Sequence, residues 1–387
     1  MTVIWKPTLD AAATKWQALA DQLGRVRFGP LAEELDREQR YPWETIEALV
    51  ANKFTGLFLP RDFGGQGESL VTTVAAVETL GTHCASTAAI MCAYQLGAFP
   101  ILLAGTDKQK DFYLREMTQG RATSFALSER IAGSDAAAIE ATAVREGDGW
   151  RLRGEKYWIG NGGASRYYVV FAKTDPAAGG RGISAFMVDK EQPGAVIDEL
   201  NDKMGIRGTQ TSNLKVDLVV PDSARIGDLN RALRLAMQTL NVGRIMVASQ
   251  SLGLALAAYR EASRYAVARK TFGQPIIDNQ GIGFKLADMA TEISAARLML
   301  YEAARMYDQG ADVSNIGAMA KLYCSEVAHR AADAAVQIWG GLGYCKPTVA
   351  ERLYRDQRIL EIYEGSSEIQ RLVLARSVRK EVEDQAR

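Results

Sequence analysis

Glu364 is one of the 46 acidic residues of this 387-residue chain, and its neighbours leave the backbone beside it unusually open. It lies in IYEGSSEIQR (Ile362 to Arg371), between Tyr363 and Gly365. A glycine next to an acid lets another molecule approach the main chain closely, so a ligand there reaches both a carboxylate and a backbone N–H. The chemistry open to that pair is proton abstraction by the carboxylate, with hydrogen bonding to the group that gains charge. The plainer alternative is a solvated Glu at a helix junction, and the local spacing leaves both open. Other chemistries have less material. Two histidines, His83 and His329, argue against a His-rich metal centre and against most Ser-His-Asp schemes. The four cysteines, Cys84, Cys92, Cys324 and Cys345, form no CxxC pair and read as buried or incidental thiols in a reducing compartment. Difficult chemistry in this chain would therefore rest on a carboxylate and an organic cofactor.

The flanking patterns position that carboxylate. Val349, Leu353 and Leu360 read as a helix entered through Pro347 and stopped by Gly365. Ser367 with Gln370 three residues on matches a capping box, and Ile369, Leu372 and Val373 begin the next apolar face. Further out, the chain divides by period. To about Gly120 the spacing is helical, with Leu31, Leu35, Ile46 and Leu49 in register and Pro42 and the loop Pro60 to Ser69 interrupting. Val71 to Leu80 and Ala85 to Leu103 are apolar enough for helices buried on most of their surface. From Ala122 to about Asp228 the period becomes two. Strands are expected at Thr123 to Leu127, Trp150 to Leu152, Tyr167 to Lys173, Ile183 to Val188 and Leu214 to Val220, with a hairpin turn at Asp148-Gly149. They would form a small closed or sandwiched sheet. From Leu229 four long helical segments follow. In the second, Ile282, Leu286, Met289, Ile293, Ala296, Leu300 and Ala303 keep the spacing of a bundle seam.

The 46 basic residues cancel the 46 acidic ones, which excludes a strong field for nucleic acid or anionic membrane. No apolar run is expected to approach bilayer-spanning length, and the start, MTVIWKPTLDAAATKW, carries no visible address, so a cytoplasmic location is expected.

Several segments together resemble the acyl-CoA dehydrogenase family, over nearly the whole chain from about Pro30. IYEGSSEIQR resembles the family motif IYEGT-x-x-IQR, Pro60 to Gly67 its P-x-x-x-G-G-x-G loop, and Ala104 to Gly120 its AGT-x-x-Q-K-x-x-YL-x-x-M-x-x-G helix. The resemblance implies an α+β fold with an N-terminal helical domain (1–121), a middle β domain (122–228) and a C-terminal four-helix bundle (229–387). It implies FAD as cofactor and Glu364 as the base that removes the α-proton of an acyl thioester. SFALSERIAGSD (Ser124 to Asp135) resembles the first flavin segment, with Phe125, Leu127 and Ser128 at the pyrimidine end and Ser134 near flavin and substrate. KYWIGNGG (Lys156 to Gly163) resembles the second, with Trp158 covering one ring face beside Ile159 and Gly160. A flavin needs such a wall and hydrogen bonds along its edge. ARKTFGQPI (Ala268 to Ile276) resembles the segment that meets the FAD pyrophosphate of a neighbouring subunit through Arg269, Thr271 and Phe272. Asn279, Gln280, Gln337, Gly340, Gly341, Ser366 and Glu368 match the remaining FAD positions. Asn241, Arg244, Tyr363 and Gly365 match the thioester cavity, with Arg244 supporting the base loop.

The resemblance further implies a homotetramer, electron-transfer flavoprotein as electron acceptor, and no metal. Three departures bear on chemistry. Gly160 stands where the family has a hydroxyl near flavin N5, Arg130 and Ile131 replace Pro and Gly near the substrate, and Glu368 replaces a more typical Gln. Some relatives carry the base at the position of Gly243, which here cannot act as one. Two other activities stay open: dehydrogenation of a thioester on an acyl carrier protein, and a flavin oxygenase of the same fold.

Overall fold

The computed structural model describes residues 3–386, so Met1 and Thr2, the start of the segment read for a targeting signal, lie outside it. Helices come first: α1 (Ala11–Leu23), α2 (Gly29–Glu38), α3 (Trp43–Ala51), α4 (Leu70–Gly81), α5 (Ala85–Ala104) and α6 (Asp107–Thr118). Helix α6 starts on a capping box in which Thr106 and Gln109 bond each other's backbone. Helices α4 and α5 are buried on nearly all sides, as their uniform apolarity requires. Helix α5 also lies directly on the first strand. A Cβ added at Gly97 would stand 1.8 Å from the Thr123 carbonyl oxygen, so only glycine permits the approach.

The middle region is an eight-stranded sheet: β1 (Thr123–Ala126), β2 (Thr142–Glu146), β3 (Gly149–Ile159), β4 (Tyr167–Lys173), β5 (Ile183–Asp189), β6 (Ala195–Leu200), β7 (Ser212–Pro221) and β8 (Arg225–Ile226). Its order is β6-β7-β3-β2-β4-β5-β8, with β1 parallel to β4. The sheet folds over a core of Trp150, Leu152, Tyr168, Val170, Phe186, Val188 and Leu214. Alternate residues of β4, Tyr167, Val169 and Phe171, instead join the helical core. Strand β4 thus reads as one apolar run because both of its faces are covered. Strand β3 runs well beyond the expected Trp150 to Leu152. Strand β6 lies where none was expected, because it is a largely exposed edge strand carrying Asp198 and Glu199 and lacks the alternation of a half-buried one.

The C-terminal region holds α7 (Ala232–Ala268), the small hairpin β9 (Lys270–Thr271) and β10 (Gln274–Pro275), α8 (Gln280–Asp308), α9 (Ser314–Trp339), α10 (Gly341–Tyr344), α11 (Val349–Gln357) and α12 (Ser367–Gln385). The α8 seam is buried from Leu286 to Ala303, with Ile282 half-buried at its edge. Helices α5 and α7 are long and apolar enough to cross a membrane by length and composition, which corrects the expectation that no run approaches that length. Inside the protein, 72% and 94% of their most apolar windows are buried, so both serve as core helices.

Helix α11, which leads to Glu364, is tied to both other regions. Arg355 forms ion pairs with Asp36 of α2 at 2.6 Å and with Glu351 at 2.8 Å. Buried Asp356 accepts a 2.6 Å hydrogen bond from the Ile206 N–H in the loop after β6. The helix does not run on to Gly365. It ends at Gln357, and a 3₁₀ turn (Arg358–Glu361) tightens the chain before the base loop.

Candidate active site

The loop after that turn takes an uncommon shape. Glu364 sits at φ +55° and Gly365 at φ +86°. For a non-glycine residue the left-handed region costs roughly 1–2 kcal/mol, so the surroundings must hold it there. Four groups do. The Tyr363 hydroxyl donates to the Gln250 side-chain oxygen of α7. Gln370 Nε2 donates to the carbonyls of Glu364 at 3.2 Å and Gly365 at 2.8 Å. Lys321 Nζ of α9 donates to the same Gly365 carbonyl at 2.8 Å. Ser366 caps α12 by accepting from the Ile369 N–H. The expected capping box of Ser367 and Gln370 therefore does not form: the cap is Ser366, one residue earlier, Ile369 stands three residues on from it and has no side-chain acceptor to complete a box, and Gln370 reaches back to the loop carbonyls.

The carboxylate itself points inward. Glu364 Oε2 is buried with no protein hydrogen-bond partner. Across from it is Gly243 of α7, where an added Cβ would stand 2.9 Å from Oε2 and 3.1 Å from Leu96. Burial pushes the carboxyl pKa up to about 7, with Lys321 and Arg244 acting in the opposite direction. Arg244 is buried, and its Nη1 donates to Asn241 at 3.0 Å, while Asn241 donates to Ser314 at 2.9 Å. Asn241, Arg244, Tyr363 and Gly365 thus gather around one carboxylate held near neutrality, the setting of a general base. Among the described residues no group accepts from the Glu364 N–H, which leaves that donor free for a ligand.

The two flavin-like segments are brought side by side. The Tyr157 N–H bonds the Ser128 carbonyl at 2.9 Å, and Ser124 Oγ donates to the Gly160 carbonyl at 2.7 Å. Beneath them Lys156, fully buried, bonds the Leu127 carbonyl at 3.1 Å and pairs with Glu129 at 2.6 Å. Trp158 is held at φ +57° and is 54% exposed, so much of its indole is open. Phe125 packs against Phe171 with ring centres 4.9 Å apart, and Leu127 and Ile159 are buried behind. Ser128 is half-buried, and Gly160 and Ser134 are exposed. Arg130 and Ile131 are both exposed on the turn closed by the Glu129–Ala132 bridge.

The remaining cofactor candidates lie elsewhere on the bundle. Phe272 is wholly exposed at the tip of the β9–β10 hairpin, at φ +52°. Arg269 is exposed, with no ion pair among the described residues, and Thr271 is half-buried. Asn279 precedes α8, where Gln280 is exposed, and Gln337, Gly340, Gly341 and Glu368 are exposed as well. Among the described residues, none of them hydrogen-bonds either flavin-like segment. Sequence reasoning missed Lys321, Gln370's reach to the loop and Gln250. For Lys321 a signal existed: it falls on the buried α9 stripe of Gly317, Cys324 and Ala328, where a charge is out of place.

Three family domains match in succession along most of the chain. Residues 12–121 match the acyl-CoA dehydrogenase N-terminal domain, 124–219 the middle domain and 230–379 the C-terminal domain. A 3-(aryl)acrylate reductase of Clostridium sporogenes is 41% identical over 94% of this chain and 97% of its own. The human mitochondrial short-chain specific acyl-CoA dehydrogenase is 42% identical over 89% of this chain and 85% of its own. The structure of butyryl-CoA dehydrogenase from Megasphaera elsdenii superposes with a TM-score of 0.94 at 36% identity, covering 97% of this chain and all (100%) of that one. Three consecutive domain matches and a near-complete superposition leave one conclusion: the chain is an oxidoreductase that belongs to the acyl-CoA dehydrogenase family.

Proposed function

We propose that the protein is an FAD-dependent dehydrogenase that converts a short acyl-CoA to the trans-2-enoyl-CoA and hands the electrons to an electron-transfer flavoprotein. The observation that carries this reading is Glu364, whose carboxylate oxygen Oε2 is buried and unpartnered and whose pKa lies near 7, in a loop whose own N–H is free. The likeness to short-chain specific and butyryl-CoA enzymes supports a short acyl group.

The chain's own residues fit a flavin at the paired segments. Trp158 offers an indole much of which is open, Phe125 and Ile159 an apolar backing, and the strand ends Phe125 to Ser128 and Gly160 a polar edge. FAD, when bound there, supplies the acceptor for the hydride that leaves the β-carbon. Glu364 takes the α-proton onto its carboxylate, whose proton affinity burial has raised into the working range of a base. The free Glu364 N–H donates to the thioester carbonyl, stabilising negative charge as the α-carbon loses its proton. Leu96, beside Gly243, and buried Cys92 give the carboxylate an apolar side.

A second reading is favoured by the 41% likeness to a reductase of arylacrylates. Here Glu364 works in reverse, its protonated form delivering a proton to the α-carbon of an enoyl substrate while the β-carbon takes the hydride that reduced FAD, when bound, would supply. A carboxyl near pKa 7 serves either direction at neutral pH.

Anaerobic mixing of the FAD-loaded protein with butyryl-CoA, longer acyl-CoAs and an acyl carrier protein thioester tests the proposal. Fast flavin bleaching by butyryl-CoA is expected. Bleaching only by the carrier-protein thioester would move the activity to that substrate. No bleaching by any saturated thioester, with rapid reoxidation of reduced protein by arylacryloyl or enoyl thioesters, would establish the reductive reading. Rapid consumption of oxygen by the reduced protein would point to an oxygenase.

A further inference from the structure

We propose that Lys321 of α9 is a positioning residue for this reaction: its ammonium clamps the Gly365 carbonyl, and so fixes the turn that aims Glu364 at Gly243, while placing a positive charge behind the carboxylate. The inference rests on Glu364 being the base.

Lys321 is fully buried, and the one hydrogen bond its Nζ makes among the described residues goes to the Gly365 carbonyl, at 2.8 Å. A lysine in that position is expensive to keep. Desolvation of an ammonium is not repaid by one neutral carbonyl, and an apolar side chain of similar length would fill the space without that penalty. Burial pushes the ammonium pKa down to about 8, so the group still carries its charge over most of the neutral range. A buried charge with no direct carboxylate contact, set against a strained loop, points to a task beyond stability.

The second cation near Glu364 cannot do the same work. Arg244 spends its Nη1 on Asn241, a neighbour on its own helix, and makes no hydrogen bond to the loop among the described residues. Lys321 is the cation that touches the loop. It shares the Gly365 carbonyl with Gln370, so two donors from two helices converge on one oxygen just after the left-handed residue. The groups facing this point are Arg244 from α7, Glu361 from the 3₁₀ turn, Glu368 from α12, and Cys92 from α5 with Tyr363 beside it. Removing the lysine charge takes away a group that favours the carboxylate form, so the base should hold its proton to higher pH.

The test uses FAD-loaded Lys321→Met, Lys321→Gln and Glu364→Gln proteins beside the wild type. The rate of flavin bleaching by butyryl-CoA is followed against pH, and hydrogen exchange of the amides from Tyr363 to Ser366 is measured without substrate. For Lys321→Met the acid limb should move up by about one pH unit or more, the size expected for losing a nearby opposite charge. Bleaching at pH 6 should then be about tenfold slower than wild type, with faster exchange in the loop. Lys321→Gln keeps a donor for the carbonyl, so it should recover loop protection but not the position of the limb. If Lys321→Met does not fold, Lys321→Gln carries the same test of the limb. An unmoved limb in a folded Lys321 variant, with Glu364→Gln inactive, overturns the role of Lys321 alone. Wild-type bleaching by Glu364→Gln overturns the base assignment beneath it.

Discussion

Replacing Glu364 by Gln keeps the size of the side chain and the backbone N–H but removes the proton acceptor. General-base assistance contributes about 10²- to 10⁴-fold, or about 2.7–5.4 kcal/mol of barrier, so anaerobic flavin bleaching by substrate should slow by at least the lower figure. FAD content and thioester binding should survive. The same substitution has a thermodynamic signature that does not depend on catalysis. In the folded protein the Glu364 carboxyl holds its proton up to about pH 7, against an ordinary value of 4.5 in the unfolded chain. Between those values the folded state binds more protons, so the wild type loses stability as pH rises, by about 3 kcal/mol once both forms are ionised. The amide that Glu364→Gln introduces does not titrate, and its burial costs the same at every pH. The stability gap between the two proteins should therefore shift by about 2–3 kcal/mol in the variant's favour from pH 5 to pH 8. Differential scanning calorimetry at the two pH values reads the shift, and stopped-flow bleaching reads the rate. A wild-type rate would place proton abstraction elsewhere, and a gap that stays constant with pH would mean the carboxylate is solvated as in an ordinary surface Glu.

Three further outcomes follow from the geometry. At Gly160 an added Cβ meets only the Ala93 Cβ, at 3.7 Å, so Gly160→Thr should fold, keep FAD and shift the flavin reduction potential or visible spectrum; an unchanged potential and spectrum would mean another group already fills that place. Gly97→Ala drives a methyl to within 1.8 Å of the Thr123 carbonyl, and backbone cannot yield cheaply, so a loss of roughly 3 kcal/mol or more is expected. Its reporters are soluble yield and FAD content, because β1 carries Phe125, and normal values of both would refute the close contact. Exposed Arg269, Phe272 and Gln337 are proposed to serve a neighbour's FAD, so sedimentation should give a homotetramer; a monomer with stoichiometric FAD would contradict this.

Much of this architecture was legible in the residues themselves. The uniform apolarity of α4 and α5, the seam of α8 and the uninterrupted apolar run of β4 all state how many faces must be covered, and burial follows from that alone. Glycine next to Glu364 and the Asp148-Gly149 turn are equally local, because backbone freedom is a property of the residue. Edge strand β6 was not legible, since exposed polar residues pair through main-chain groups that every sequence shares. Nor was the cap at Ser366, because Ser366 and Ser367 are chemically alike and only the path of the chain chooses between them. The placement of Lys321, Gln250 and Gln370 around the base loop belongs to the tertiary structure entirely. They come from three helices, and Lys321 and Gln250 stand 44 and 113 residues from their partners in the loop. The sequence alone marked Glu364 as a possible base; the packing of α7, α9 and α12 around it decided that its Oε2 is buried and unpartnered and its pKa near 7, because desolvation depends on what surrounds a group and not on its neighbours in the chain.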